Sequence, residues 1–324
     1  MKIVYLIRNV GTGLGFHLHK VTKKDNKREN RQFATIYRNE IERRRGLVSE
    51  STVENEMTAL RSFLAFIGDG FSLSALTPEH FIRYERWLRD KGVCPNTSAC
   101  YMRSLRAVSN RLGLDGKDLF SQVRTAKDKA EKKAVDVGTI RRLSAAELAE
   151  GTSQARARDM YLFSIMAMGM PFVDLAHLRK TDVMEDCITY FRRKTGRRVT
   201  VRIEPCMKKI LRRYNDTSSP YLFPLLKETE PVKAETEYRR LIGRYNRTLK
   251  RLSEGCGLKK KVTSYSARHT WATLAYKNGM VLASISKGLG HASPVTTQNY
   301  LKEIDDEGLS EANKQLLGEI FGQN

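Results

Sequence analysis

The chain has 324 residues, 40% of them hydrophobic, and carries 58 Lys and Arg against 36 Asp and Glu for a formal charge of +22. Length and apolar content suit two domains, and the basic surplus is the electrostatic mark of a phosphate-backbone binder. The five cysteines (Cys94, Cys100, Cys187, Cys206 and Cys256) are scattered, odd in number and lack a C-x-x-C pair, which argues against a zinc site or a disulfide framework and fits a reducing cytoplasm.

In chain order, the short apolar run Ile3 to Ile7 is broken by Arg8 and Asn9, so it reads as neither a signal peptide nor a membrane span. Gly11 to Gly15 lacks the ending of a P-loop and reads as a flexible turn. A helix is expected around Phe33 to Arg45. A second follows the capping cluster Ser49 to Thr52, with Val53, Met57, Leu60, Leu64 and Ile67 on one face. Thr77 and Pro78 supply an N-cap and a first-turn proline for a third, running through Trp87 and Leu88 and ended by Gly92. Asn96 and Thr97 open a fourth, with Tyr101, Leu105, Val108 and Leu112 as its apolar stripe. Arg103, Arg106 and Arg111 lie away from that stripe, either facing phosphates or as a solvated face. No basic amphipathic helix with a clean apolar face stands out, which disfavours a membrane surface as partner.

Ala126 to Arg142 is charged, poor in large apolar residues and interrupted by Gly138, a composition suited to a linker. Ser144 to Glu147 reads as a capping box opening the second domain. Ile188 and Tyr190, then Val199, Val201 and Ile203, alternate with polar residues about a turn at Thr195-Gly196, predicting a β-hairpin with a basic tip. Helical rhythm returns at Tyr238, Leu241, Tyr245 and Leu249, and again after Ser264. The expected division is an N-terminal extension (residues 1–27), a helical domain (28–125), a linker (126–142) and a mixed domain (143–324).

The most specific stretch is Thr263 to Tyr300. It sets Arg268, His291 and Tyr300 at intervals of 23 and 9 residues, with Leu289-Gly290-His291 ahead of Thr296-Thr297-Gln298-Asn299-Tyr300. Each residue type alone is commonly structural, but words and intervals together resemble the C-terminal active-site box of the tyrosine recombinases, the phage-type integrases and site-specific recombinases. The resemblance implies a mainly α fold with a small β-hairpin or sheet (α+β), in which a helical, SAM-like core-binding domain and a mixed catalytic domain clamp a DNA duplex. With about two dozen residues ahead of the first expected helix, the arm-binding domain that longer relatives carry is not expected here.

Metal-free cleavage of a phosphodiester needs a nucleophile, charge stabilisation on the non-bridging oxygens and an acid for the leaving 5′-oxygen. Carried over from the resemblance, Tyr300 is the nucleophile, forming a 3′-phosphotyrosyl link. Arg268 holds phosphate oxygens with a planar guanidinium, and His291 contacts the phosphate beside the nucleophile. Lys194, at the hairpin tip in Arg192-Arg193-Lys194-Thr195-Gly196, matches the lysine that protonates the leaving group, although Arg192, Arg193 and Arg197 blur the choice. No cofactor and no metal are expected.

Two departures stand out. Tyr265 occupies the position where the family usually has a histidine, and it can donate a hydrogen bond but not shuttle protons near neutral pH. More seriously, the family's first arginine would fall at Pro171 or Met168 in Ala167-Met168-Gly169-Met170-Pro171-Phe172-Val173-Asp174, neither of them charged. Arg156, Arg158 and Arg179 are nearby in sequence, but nothing in the sequence shows that any of them substitutes.

The resemblance further implies double-stranded DNA sites as substrate, a homotetramer on DNA joined through the helix read at Leu309 to Gln323, accessory DNA-bending proteins, and a cytoplasmic, nucleoid-associated location of bacterial type with no membrane partner. The rival readings are a recombinase-derived DNA-binding protein with weakened or lost cleavage, and a nicking-closing topoisomerase.

Overall fold

The computed structural model describes residues 32–114, 118–126, 134–291 and 296–298. Tyr300, the N-terminal extension and the helix read at Leu309 to Gln323 lie outside the described residues. The chain divides into two compact units, Met1–Ala130 and Glu131–Asn324.

The first unit is helical: α1 (Phe33–Glu42), α2 (Glu50–Ile67), α3 (Pro78–Asp90) and α4 (Pro95–Arg111). Thr77 caps α3 with its backbone N–H donating to His80 Nδ1 at 3.3 Å, and Pro78 takes the first turn, where its missing N–H costs nothing. The start expected of α4 at Asn96-Thr97 is corrected to Cys94 and Pro95, because proline's fixed φ suits the first helical position. Phe33, Tyr37, Phe63, Phe81, Tyr84 and Met102 are fully buried, with Phe33 stacked on Tyr37 and Phe63 on Phe81.

Arg111 departs from both expectations, a phosphate contact and a solvated face. Its Nε lies 3.0 Å from Glu40 of α1 and its Nη2 lies 2.7 Å from Glu56 of α2, and both carboxylates are buried. Arg111 thus ties three helices together. Arg103 also points inward, to the Thr125 carbonyl at 2.5 Å, whereas Arg106 is exposed.

The second unit opens on α5 (Val137–Ala145), within the stretch read as linker. Asp136 caps it, accepting from Thr139 N at 2.7 Å, and Leu143 is buried. A high charge count hid apolar spacing sufficient for one short helix. Ser144 therefore closes a helix and does not cap one. The next helix, α6 (Ser153–Met166), is capped by Thr152. Residues Met160 to Ser164 of α6 are buried without interruption, as a helix enclosed on all sides requires.

α7 (Phe172–His177) leads into a three-stranded antiparallel sheet of β1 (Val183–Met184), β2 (Cys187–Phe191) and β3 (Arg198–Arg202). The hairpin pairs Ile188 with Val201 and Tyr190 with Val199, all four buried; β1 adds the strand that alternation did not reveal. α8 (Pro205–Arg213), α9 (Pro231–Gly255), α10 (Ser266–Lys277) and α11 (Leu282–Leu289) complete the unit. Phe172 stacks on Tyr245 of α9 at 3.9 Å between ring centres.

Arg111→Ala should lower the stability of the first unit by on the order of 3 kcal/mol, because it leaves two buried carboxylates short of a partner. Denaturant unfolding measures this. An unchanged midpoint would show that Arg43 and Arg44, the other cations on Glu40 and Glu56, suffice.

Candidate active site

The turn after α6 sets one wall. Met168 and Gly169 both take positive φ, +55° and +69°, and Ser164 Oγ donates to the Met170 carbonyl at 2.6 Å. This turn aims the Gly169 carbonyl at α10, where Arg268 Nη1 donates to it at 3.0 Å. A side chain at 169 would place Cβ 3.0 Å from Arg268 Cα, so only glycine allows the approach. Arg268 is 3% exposed, and its Nη2 donates to the Leu289 carbonyl at 2.5 Å.

The hairpin tip forms the opposite wall. It is closed by Arg192 N–H to the Arg197 carbonyl and by Gly196 N–H to the Arg192 carbonyl, each 2.8 Å. Asp174 of α7 anchors it: Oδ1 accepts the Arg193 N–H at 2.9 Å, and Oδ2 lies 2.7 Å from Arg192 Nε. Neither Oδ2 nor Nε satisfies hydrogen-bond geometry, so the second contact is an ion pair without a directed bond. Arg192 Nη1 also donates to the Leu289 carbonyl, and Thr195 Oγ1 donates to the Gly290 carbonyl at 3.2 Å.

Both arginines therefore converge on one carbonyl at the end of α11. Gly290 follows in the left-handed conformation. A Cβ there would come within 2.8 Å of Arg192 Cγ and 2.9 Å of Val199 Cγ2. The glycine of the Leu-Gly-His word is thus required by both the turn and the arginine stem beside it. His291 comes next, buried, with Nδ1 2.8 Å from Thr297 Oγ1.

Burial first, then the positive charges of Arg268, Arg192 and Lys194, push the His291 pKa down to about 4. The ring is neutral at pH 7. Burial raises the Asp174 carboxyl, opposed mainly by Arg192. A cavity of about 230 Å³ beside His291 is flanked by Arg197, Arg198 and Lys287. Such a cluster of preorganised cations is suited to an anion.

Of the residues expected from sequence, the structure brings Arg268, His291 and Lys194 together. Lys194 is exposed at the tip, close enough for its charge to act on His291. Tyr265 stands at the N-cap of α10, 45% exposed, its ring edge-on to His269 at 4.6 Å. At the position of the absent arginine, Met168 packs against α11: a Cβ on Gly288 would lie 3.1 Å from its sulfur. Pro171 caps α7. Arg158 is held by Asp159 and the Ala146 carbonyl, while Arg156 and Arg179 are exposed.

Sequence reasoning missed Asp174 as an anchor, the buried Arg192 and the Thr297 contact. It also missed Arg240, Arg244, Arg247 and Arg251, exposed along one stripe of α9 at helical spacing; the alternation of 4, 3 and 4 residues was the available signal. Among the described residues no group of three or more His, Cys, Asp or Glu is placed to hold a metal ion, and no helix is long and apolar enough to cross a membrane.

The first unit is a helical bundle, and the second is a mixed unit with cations clustered at a β-hairpin. The profile of the Phage integrase family matches residues 123–307, and that of the Phage integrase SAM-like domain matches residues 32–111. Tyrosine recombinase XerD of Listeria innocua is 24% identical over 273 residues, 78% of this chain and 88% of the relative. The fold is shared with the Tn1549 transposon integrase in complex with transposon right end DNA (TM-score 0.64, 14% identity, 88% of this chain and 99% of that one). It is also shared with a lambda integrase tetramer bound to a Holliday junction (TM-score 0.62, 16% identity, 88% and 81%). The chain belongs to the phage integrase family: it is a tyrosine recombinase, an enzyme of DNA recombination.

Because the folded His291 pKa of about 4 lies below the ordinary 6.5, the folded state binds fewer protons at this site. Its contribution to stability is complete above 6.5 and is lost as pH falls from 6.5 toward 4. In the DNA-free protein an NMR titration of the His291 ring should have its midpoint near pH 4. A midpoint near 6.5 would show that the ring is solvated and away from the arginines.

Proposed function

We propose that the protein carries out site-specific recombination on double-stranded DNA through a 3′-phosphotyrosyl intermediate at Tyr300. The first unit serves as core-binding domain and the second as catalytic domain. The Tyr300 oxygen forms a bond to the scissile phosphorus and the P–O5′ bond breaks. The phenol proton leaves to water, and the departing 5′-oxygen takes a proton from Lys194. The bond energy kept in the phosphotyrosyl link then serves religation to a different 5′-hydroxyl. Arg268 holds the non-bridging oxygens, neutral His291 donates or accepts a hydrogen bond beside them, and Tyr265 adds a hydroxyl donor. The active form is a homotetramer on paired sites, with Leu309 to Gln323 reaching a neighbouring protomer.

The observation that carries this reading is the His291–Thr297 hydrogen bond. It ties the histidine, itself set among Arg268, Arg192 and Lys194, to the Thr-Thr-Gln segment that ends three residues later in Tyr300. One short stretch of chain thereby links the cation cluster to the nucleophile.

Covalent capture from a randomised duplex library under denaturing conditions tests the reading and also yields the site. The native protein should give a phosphotyrosyl adduct. Tyr300→Phe, which removes one oxygen and little packing, should give none while retaining DNA binding. An adduct from the Phe variant would place the nucleophile elsewhere, and none from the native protein would favour a DNA-binding protein without cleavage.

Binding should also weaken steeply with salt. A formal charge of +22 and the arginine stripe on α9 supply phosphate contacts, and about eight of them would cost several decades of affinity between roughly 50 and 200 mM salt through counterion release. Filter binding over that range measures the slope. A flat response would leave the charge without a role in DNA binding.

A further inference from the structure

We propose that Arg192 is the second phosphate-holding arginine of the active site, taking the role for which neither Met168 nor Pro171 carries a charge. The inference rests on the reading of Arg268 and Tyr300 as the cleavage site.

Position comes first. Arg192 Nη1 and Arg268 Nη2 donate to the same Leu289 carbonyl oxygen, and two nitrogens bonded to one oxygen lie no more than about 6 Å apart. One phosphate group can span two donors at that separation. The two arginines arrive from different elements, the end of β2 and the first turn of α10, and so approach from two sides.

Fixation is the second argument. Arg192 is 6% exposed, its stem is seated on Gly290, and Asp174 lies against Nε. A solvated arginine in a basic turn would show none of these. Among the described residues its Nη2 makes no hydrogen bond, which leaves one end of the guanidinium fork for an acceptor from outside. The charge of Arg192 is felt at His291 together with those of Arg268 and Lys194, so it belongs to the same local field. Cleavage passes through a five-coordinate phosphorus whose equatorial oxygens gain charge as the Tyr300–phosphorus bond forms and the P–O5′ bond breaks. Arg192 and Arg268 would hold those oxygens, and Arg192 itself exchanges no proton.

Single-turnover cleavage by the full chain decides the matter, using the captured site in three chemical forms. These are the ordinary phosphodiester, a methylphosphonate at the scissile position, and a 5′-bridging phosphorothiolate. On the ordinary duplex, Arg192→Ala should slow cleavage on the order of 10²–10³-fold, as loss of one preorganised charge donor does. The methylphosphonate lacks one non-bridging charge, so there the variant should come within a few-fold of the native protein. On the phosphorothiolate, whose sulfur leaves without a proton, the Arg192→Ala defect should persist while that of Lys194→Ala disappears.

A defect cured by sulfur but not by the methylphosphonate would overturn the proposal, because Arg192 would then serve only to position Lys194 through the hairpin. An unchanged rate would overturn it too. If circular dichroism shows Arg192→Ala to be misfolded, Arg192→Lys keeps a buried cation beside Asp174 but loses the planar fork, and it carries the same three-substrate comparison. Arg268→Ala is the reference: a native protein that forms no adduct overturns the cleavage reading and this inference with it, whereas slow Arg268→Ala beside normal Arg192→Ala overturns this inference alone.

Discussion

The site depends on one backbone oxygen. The carbonyl of Leu289, at the end of α11, accepts from Arg268 and from Arg192, and it fixes where two buried cations meet. Two unit charges about 6 Å apart repel by about 3 kcal/mol at an effective dielectric near 20. The fold offsets this with the Gly169 carbonyl on Arg268 and the Asp174 carboxylate on Arg192. Burial first, and then the remaining positive field, disfavours a proton on His291, and that field leaves the cluster suited to an anion.

Two glycines make the arrangement sterically possible. Gly169 lets the turn after α6 approach the backbone of Arg268, and Gly290 lets the Arg192 stem pass beside the residue before His291. Both have positive φ, so a side chain would add strain to the clash. Met168 also sits at positive φ, +55°, an uncommon conformation for a residue with a side chain. The turn thus carries conformational cost so that it can deliver one carbonyl, and the methionine side chain finds a place against Gly288 of α11.

Arginines in this chain divide by burial of their partners rather than by sequence context. Arg111 and Arg158 sit in helices with a basic surplus, yet each is held by a buried carboxylate within its own unit. Arg240, Arg244, Arg247 and Arg251 lie along the solvent face of α9 and are free of ion pairs among the described residues. Net charge therefore overstates the cations available to DNA, while helical phase identifies those that remain.

The sequence by itself determined the helices of the first unit, the hairpin with its buried Ile188, Tyr190, Val199 and Val201, the family, and the membership of Arg268, His291 and Lys194 in one cluster. The elements follow from periodicity and capping residues written in neighbouring positions, and the family and its cluster follow from a compound motif of fixed intervals and the resemblance it carries. It misread α5 because the apolar positions of a short helix were diluted by charge, and it left Arg111 open between phosphates and a solvated face because its carboxylate partners lie 55 and 71 residues away in sequence. Only the tertiary structure decided that Arg192, one of five basic residues around the hairpin turn, is the one drawn inward. Asp174, Leu289 and Gly290 select it, and they come from two elements remote in the chain. A cation's role depends on what surrounds its charge in space, and no spacing along the chain encodes that surrounding.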